Sequence, residues 1–208
     1  MVVREETRPG SGAPAAPVEF RAAVAAMHSA RLRPEIFCED MPAPQRIAPY
    51  ASALSADVTV DDVEVATGRL ILLHEPAGNE AWAGGTFRLV AYVRADIDVE
   101  LITDEMLGAV GWSWLTDALE AHGAEYAAAS GTVTRVATES FGGMSEEDAT
   151  AQIEVRASWT PVVGPSGPDV AAHVEAWGEL LCTAAGLPPV PEGVAVIPSR
   201  RGQRGPGA

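Results

Sequence analysis

From Leu54 to Asp61 the chain alternates strictly. Leu54, Ala56, Val58 and Val60 fall on one side of an extended strand, and Ser55, Asp57, Thr59 and Asp61 fall on the other. Successive side chains of a strand point to opposite faces, so such a stretch buries one face and wets the other. The pattern recurs. Gly68 opens the run RLILLHE, and Thr86 to Ala95 sets Phe87, Leu89, Ala91 and Val93 against Arg88, Tyr92 and Arg94. Gly131 to Phe141 and Ala151 to Thr160 follow, the latter with Ile153, Val155, Ala157 and Trp159 pointing inward. Strands with one dry and one wet face belong to an antiparallel sheet that is covered on one side only.

The cover is legible as three helices with a 3.6-residue period. Phe20, Val24 and Met27 mark a helix over 18–31 that Pro34 ends. Thr103, Asp104 and Glu105 read as a cap and first-turn acids, followed by the stripe Leu107, Val110, Trp114 and Ala118 until His122, with Gly123 as the stop. Asp169 caps a last helix with Val170, Val174, Trp177 and Leu181 on one face, closed by Gly186 and two prolines. Between the first helix and the first alternating strand lie a short extended piece, Glu35 to Glu39, and a proline-broken stretch, Met41 to Pro49. The expected order is α-β-β-β-α-β-β-α. It predicts an α+β two-layer sandwich, an antiparallel sheet of about five strands with helices on one face.

A length of 208 residues suits one domain. The Pro-, Gly- and charge-rich ends, 1–17 and 198–208, are expected to be disordered tails, the second basic through Arg200, Arg201 and Arg204. The body, 18–197, is expected to be a single domain; it holds 27 of the 29 acidic residues and only nine of the 14 arginines, and lysine is absent. A net charge of −15 repels phosphate backbones and anionic lipid, which counts against nucleic-acid and membrane partners. Two cysteines make no disulfide framework, no apolar run is long enough to span a bilayer, and Met1 to Pro17 lacks a signal peptide's apolar core. These features predict a cytoplasmic location.

Motifs that state a chemistry are missing. His28, His74, His122 and His173 stand apart without metal-ligand spacing, no phosphate-cradling glycine motif occurs, and no G-x-S-x-G elbow is present. Cys38 beside Glu39 and Asp40, and Cys182 behind two leucines in a helix, read as structural thiols. No cofactor or metal is expected. Trp112, Trp114, Trp159 and Trp177 fall on packing elements and are expected in the core. Trp82 differs because it sits in the ten-residue loop PAGNEAWAGG with Asn79 nearby, and long loops often carry contacts. Arg88 and Arg94 share a face with Tyr92, and Arg156 lies on the last strand. If these polar faces coincide, the guanidiniums converge beside Glu154 and the threonines of 132–138, a chemistry suited to carboxylate, phosphate or an acidic segment. The bland alternative is a ladder of ion pairs between strands, and the parity of Arg135 is open. His74, Asn79, Trp82, Arg88, Tyr92, Arg94 and Arg156 together form the candidate binding surface.

Two resemblances bear on this reading. The succession of elements is similar to the fold of bacterial type III secretion chaperones, small acidic proteins that are usually dimeric, and that likeness implies a binding role. At finer grain the chain resembles a family found in actinobacteria and known only as a domain of unknown function, number three thousand in its series. The resemblance is carried by RLRPEI (31–36), PQRIAPYASAL (44–54), GRLILLHEPAGNEAW (68–82), TFRLVAYVRADI (86–97), WSWLTDAL (112–119), SGTVTR (130–135), FGG (141–143), QIEVRASWTP (152–161) and the LLC and AGLPP segments (180–189). It implies no activity, cofactor or site. The leading expectation is therefore a non-catalytic binding domain with a protein partner or a second copy of itself. The alternative is a small enzyme or ligand-binding domain whose pocket between sheet and helices takes an anionic small molecule.

Overall fold

The computed structural model describes residues 16–165 and 167–189. The expected tails therefore fall almost wholly outside the described residues. The helices are α1 (Val18–Ser29), α2 (Leu107–Ala121) and α3 (Val170–Ala184). Six strands form the main sheet: β1 (Ile36–Met41), β2 (Tyr50–Val60), β3 (Val63–His74), β4 (Phe87–Ile97), β5 (Tyr126–Thr138) and β6 (Thr150–Pro161). The sheet order is β1-β2-β3-β4-β6-β5, and every neighbouring pair is antiparallel. The breaker run after β6 adds a two-stranded hairpin, β7 (Val163–Gly164) with β8 (Gly167–Pro168). The α+β class and the expected order hold, with one strand more than expected in the main sheet. That strand is β1, the proline-flanked extended piece, which pairs along its whole length with β2.

β2 and β3 meet through a two-residue turn in which Asp61 and Asp62 have φ of 50° and 65°, the geometry of the tight hairpin turn that suits the sheet's twist. β3 therefore begins five residues before Gly68. Beyond β4, α2 crosses over the sheet and delivers β5 to the far edge, and β6 then returns between β4 and β5.

One face of the sheet is packed by helices. Leu54, Ala56 and Val58 of β2, Leu70 and Leu72 of β3, Leu89 and Val93 of β4, and Ile153, Val155 and Trp159 of β6 lie there with α3 at the centre. α3 buries eleven residues, among them Val174, Trp177 and Leu181. Its close approach depends on Gly68, where a β-carbon would lie 2.8 Å from Leu181 and 3.1 Å from Trp177. Asp169 caps α3 as expected, its carboxylate accepting the Ala172 N–H at 3.3 Å, and Gly186 ends it at a φ of 72°.

α2 departs from expectation at two points. Thr103 closes a short 3₁₀ turn (Val99–Thr103), Asp104 accepts the Met106 N–H at 2.8 Å, and the helix starts only at Leu107. Its buried stripe is Leu107, Gly111, Leu115, Ala118 and Leu119, which leaves Trp114 half-buried on the flank. The stripe turns this way because Gly111 is the contact point with Ile153 and Val133, where a β-carbon would come within 2.9 Å and 3.1 Å. Trp159 and Trp177 are fully buried. No helix among the described residues is long and apolar enough to cross a membrane.

Candidate functional site

Among the described residues no α-helix packs on the second face of the sheet, and strand register fixes what it carries. Arg69 of β3, Tyr92 of β4, Arg156 of β6 and Thr132 of β5 stand side by side in one row. Thr67, Arg94, Glu154 and Thr134 make the next. The polar faces of the two halves of the sheet do coincide. Within them the Tyr92 hydroxyl donates to Glu154 at 3.0 Å, Arg156 reaches the other Glu154 oxygen at 2.9 Å, and the Arg156 guanidinium lies 5.3 Å from the centre of the Tyr92 ring. Tyr92 loses acidity mainly through burial and then through the carboxylate it bonds. Arg156 pairs along its own strand, so the expected cross-strand ladder reduces to one local triad, while the exposed Arg69 and Arg94 form no ion pair among the described residues. Arg135 has the opposite parity. It lies on the helix side, where it donates to the carbonyls of Asp104 at 2.7 Å and Ile102 at 3.4 Å.

Arg88 shares this parity but is no surface residue, being only 6% exposed. Its guanidinium donates to the Ser158 carbonyl and hydroxyl (3.1 and 2.7 Å), the Ser130 and Thr160 hydroxyls (3.3 and 2.9 Å) and the Ala128 carbonyl (2.9 Å). All are neutral acceptors. A buried charge needs its hydrogen bonds filled, and this fork fills them while fastening β4 to β6 and to the bulge of β5. Burial lowers the pKa of Arg88.

The loop between β3 and β4 is a closed structure. Asn79 caps a 3₁₀ turn (Glu80–Trp82) by accepting the Ala81 N–H at 2.9 Å, and Gly78, Ala83 and Gly84 take positive φ to bring the chain back. Thr160 donates to the Trp82 carbonyl at 2.9 Å, which ties the loop over the Arg88 end of the sheet. Trp82 itself is buried, at 9% exposure. His74 is on the helix side, 1% exposed, stacked on Phe87 at 4.2 Å and on Phe20 at 5.8 Å, with Nδ1 bonded to the Thr86 carbonyl at 2.9 Å. Of the seven residues expected to form a surface, three are therefore packed inside: His74 beneath α1, Trp82 under its loop, and Arg88 in its fork. Asn79 is committed to its cap. Tyr92, Arg94 and Arg156 do come together on the open face, joined by Arg69, which the expected surface did not include although it alternates with Leu70 and Leu72 in RLILLHE.

A family model matches residues 16–195, which take in all the described residues. The chain belongs to the family described as Protein of unknown function (DUF3000). No curated protein and no solved structure matches it. Membership in DUF3000 thus brings no activity to this chain, and its chemistry has to be read from the remaining candidate sites.

A cavity of about 660 Å³ lies between α1, the segment after it and β1, lined by Arg33, Glu35, Cys38, Glu39 and Asp40 among others. At its rim His28 Nε2 stands 2.7 Å from Asp40. Burial first, and then Asp40 and Glu39, push the Cys38 thiol up to about 11, and burial pushes Cys182 up to about 12, so neither is a ready nucleophile at neutral pH. A second cavity of about 420 Å³ beside the C-terminal end of α3 has Trp114, Leu101 and Val110 for walls and Asp96, Asp98 and Asp104 at its lining. Both cavities carry more carboxylates than cations, a setting that repels an anionic ligand. Among the described residues no three metal-ligating side chains converge.

Proposed function

We propose that this DUF3000 chain is a non-catalytic binding domain that receives a protein partner on the open face of its sheet. The observation that carries the reading is the concentration of cations there. Three of the nine arginines of an otherwise acidic body, Arg69, Arg94 and Arg156, are presented on that single face, and Arg69 and Arg94 are exposed beside Tyr92 without an ionic partner among the described residues. Arginine and tyrosine supply most of the energy of protein interfaces, and guanidinium forks match carboxylates in pairs. The half-buried Ile71 and Val90, in the row next to Arg69 and Tyr92, add apolar contact area. The partner's complementary segment is acidic. Its approach is steered locally, because the net charge of the whole chain repels acidic proteins at long range.

The test is a pair of charge reversals, Arg69→Glu and Arg94→Glu, in a tagged chain expressed in its native cells. The expected result is loss of the co-purifying partner, with a melting temperature within a degree or two of the parent, since surface substitutions of this kind change stability by only about ±0.5 kcal/mol. Undiminished recovery of every co-purifying protein from the doubly reversed chain would remove the open face from consideration.

A further inference from the structure

The two edges of the sheet are built differently. A free edge offers a row of unpaired N–H and C=O groups, which chains usually blunt with charge, bulges or brevity. β1 has six residues and carries Glu39 and Asp40. β5 has thirteen, with no acidic residue and one arginine, in a chain of net charge −15. Its irregularity is confined to the bulge between Ala127 and Ser130; from Ser130 to Thr138 the register with β6 is unbroken. Thr132, Thr134 and Thr138 are exposed, and they alternate with Val133 and Ala137 in a stretch that is β-branched at five of its last seven positions. The strand's single charge is turned back, since Arg135 bonds the Ile102 and Asp104 carbonyls over α2's entry. The half-buried Trp112 ring lies over Gly131, where a β-carbon would come within 2.7 Å of it, so an aromatic flanks the same edge.

The strand is complementary to itself. Antiparallel pairing of two copies about Thr134 sets Thr134 opposite Thr134, Thr132 opposite Val136, Val133 opposite Arg135 and Gly131 opposite Ala137. No like charges face each other, and threonine and β-branched pairs are favourable opposite partners in a sheet. We propose that β5 pairs with β5 of a second copy about a two-fold axis at Thr134, joining two six-stranded sheets into one continuous sheet with all helices on the same side. This surface is the edge of the sheet, not the arginine-bearing face, and the inference goes beyond the reading of that face. Because the pairing itself is uncharged while the two acidic bodies repel, association holds or strengthens as salt is added; a basic partner on an acidic surface would be released.

Sedimentation velocity of the full chain over a concentration series reads the result. The parent sediments as a dimer at micromolar concentration. T134K and T134E each place like charges on the axis and sediment as folded monomers with the parent's circular-dichroism spectrum, their melting temperatures lower only by what association contributes to the parent. An equimolar mixture of T134K with T134E recovers the dimer. R94E leaves self-association intact, which separates this test from that of the open face. A parent chain that stays monomeric at all concentrations and salts, single variants that dimerise like the parent, or a mixture that does not recover the dimer each overturn the proposal.

Discussion

Acid should loosen α3 from the sheet through one residue, His173. Its ring is 1% exposed, and Nδ1 accepts the indole N–H of Trp159 at 3.1 Å, so this nitrogen is unprotonated in the folded protein. Burial, outweighing the nearby Asp169 carboxylate and a backbone hydrogen bond at Glu125, pushes its pKa from 6.5 down to about 4. Protonating Nδ1 would set two donors against each other inside the core. In the unfolded chain the imidazole takes up its proton near the ordinary value, so between those two pH values the unfolded state binds more protons than the folded one. Stability is therefore complete above pH 6.5 and falls as the pH is lowered, flattening only near pH 4. A native value of about 4 against an ordinary 6.5 corresponds to a loss of about 3 kcal/mol over that window. Urea denaturation at a series of pH values measures it, with His173→Asn as the reference because its carbonyl can still accept the Trp159 N–H. The difference between parent and variant cancels the titration of Glu35, whose pKa its hydrogen bond from Arg33 holds below the ordinary value and whose contribution is lost as the pH falls below that ordinary value. A parent-minus-variant difference that does not change between pH 7 and pH 4.5 would show that His173 is not the buried neutral acceptor described here.

Arg88→Met should cost about 3 kcal/mol in urea denaturation, because it strands the Ser158 and Ala128 carbonyls and three hydroxyls without their donor. Arg88→Lys should recover little of it, since a point ammonium lacks the fork. Trp159→Ala should lower the urea midpoint by the equivalent of about 3 to 5 kcal/mol, and half-buried Trp114→Ala by distinctly less. Alkylation of Cys38 should be slow at pH 8 and accelerate about tenfold per pH step toward its value of about 11, as followed by mass spectrometry.

Period-two patterning placed the strands because every central strand has one face in the helix-side core and the other open, so burial imprints itself residue by residue. It missed β1, whose Phe37 is exposed between the inward Ile36 and Cys38 and whose neighbours are prolines; only pairing with β2 makes that piece a strand. α2 was ambiguous for the opposite reason. With Trp112, Trp114, Leu115 and Val110 spread around the helix, several stripes fit, and the contact of Gly111 with Ile153 and Val133 selects one of them. At the open face, parity put Arg88, Tyr92 and Arg94 together, but it could not separate a buried arginine from an exposed one. Arg88 is enclosed by hydroxyls of Ser130, Ser158 and Thr160, forty and more residues away in sequence, and the loop that Thr160 ties down adds to the cover. His74 and Trp82 escaped for the same reason. The packing of α1 and the closure of the loop are tertiary facts, to which a lone histidine or a loop tryptophan gives no local signature.

The most direct measurement of the central claim is site-specific photocrosslinking in native cells, with a photoreactive phenylalanine analogue placed in turn at Tyr92 and Arg94 on the open face and at Ala22 on the exposed side of α1. A partner seated on the open face gives a protein adduct of one defined mass from Tyr92 and Arg94, and none from Ala22. Adducts from Ala22 alone, with the open-face positions silent, would contradict it.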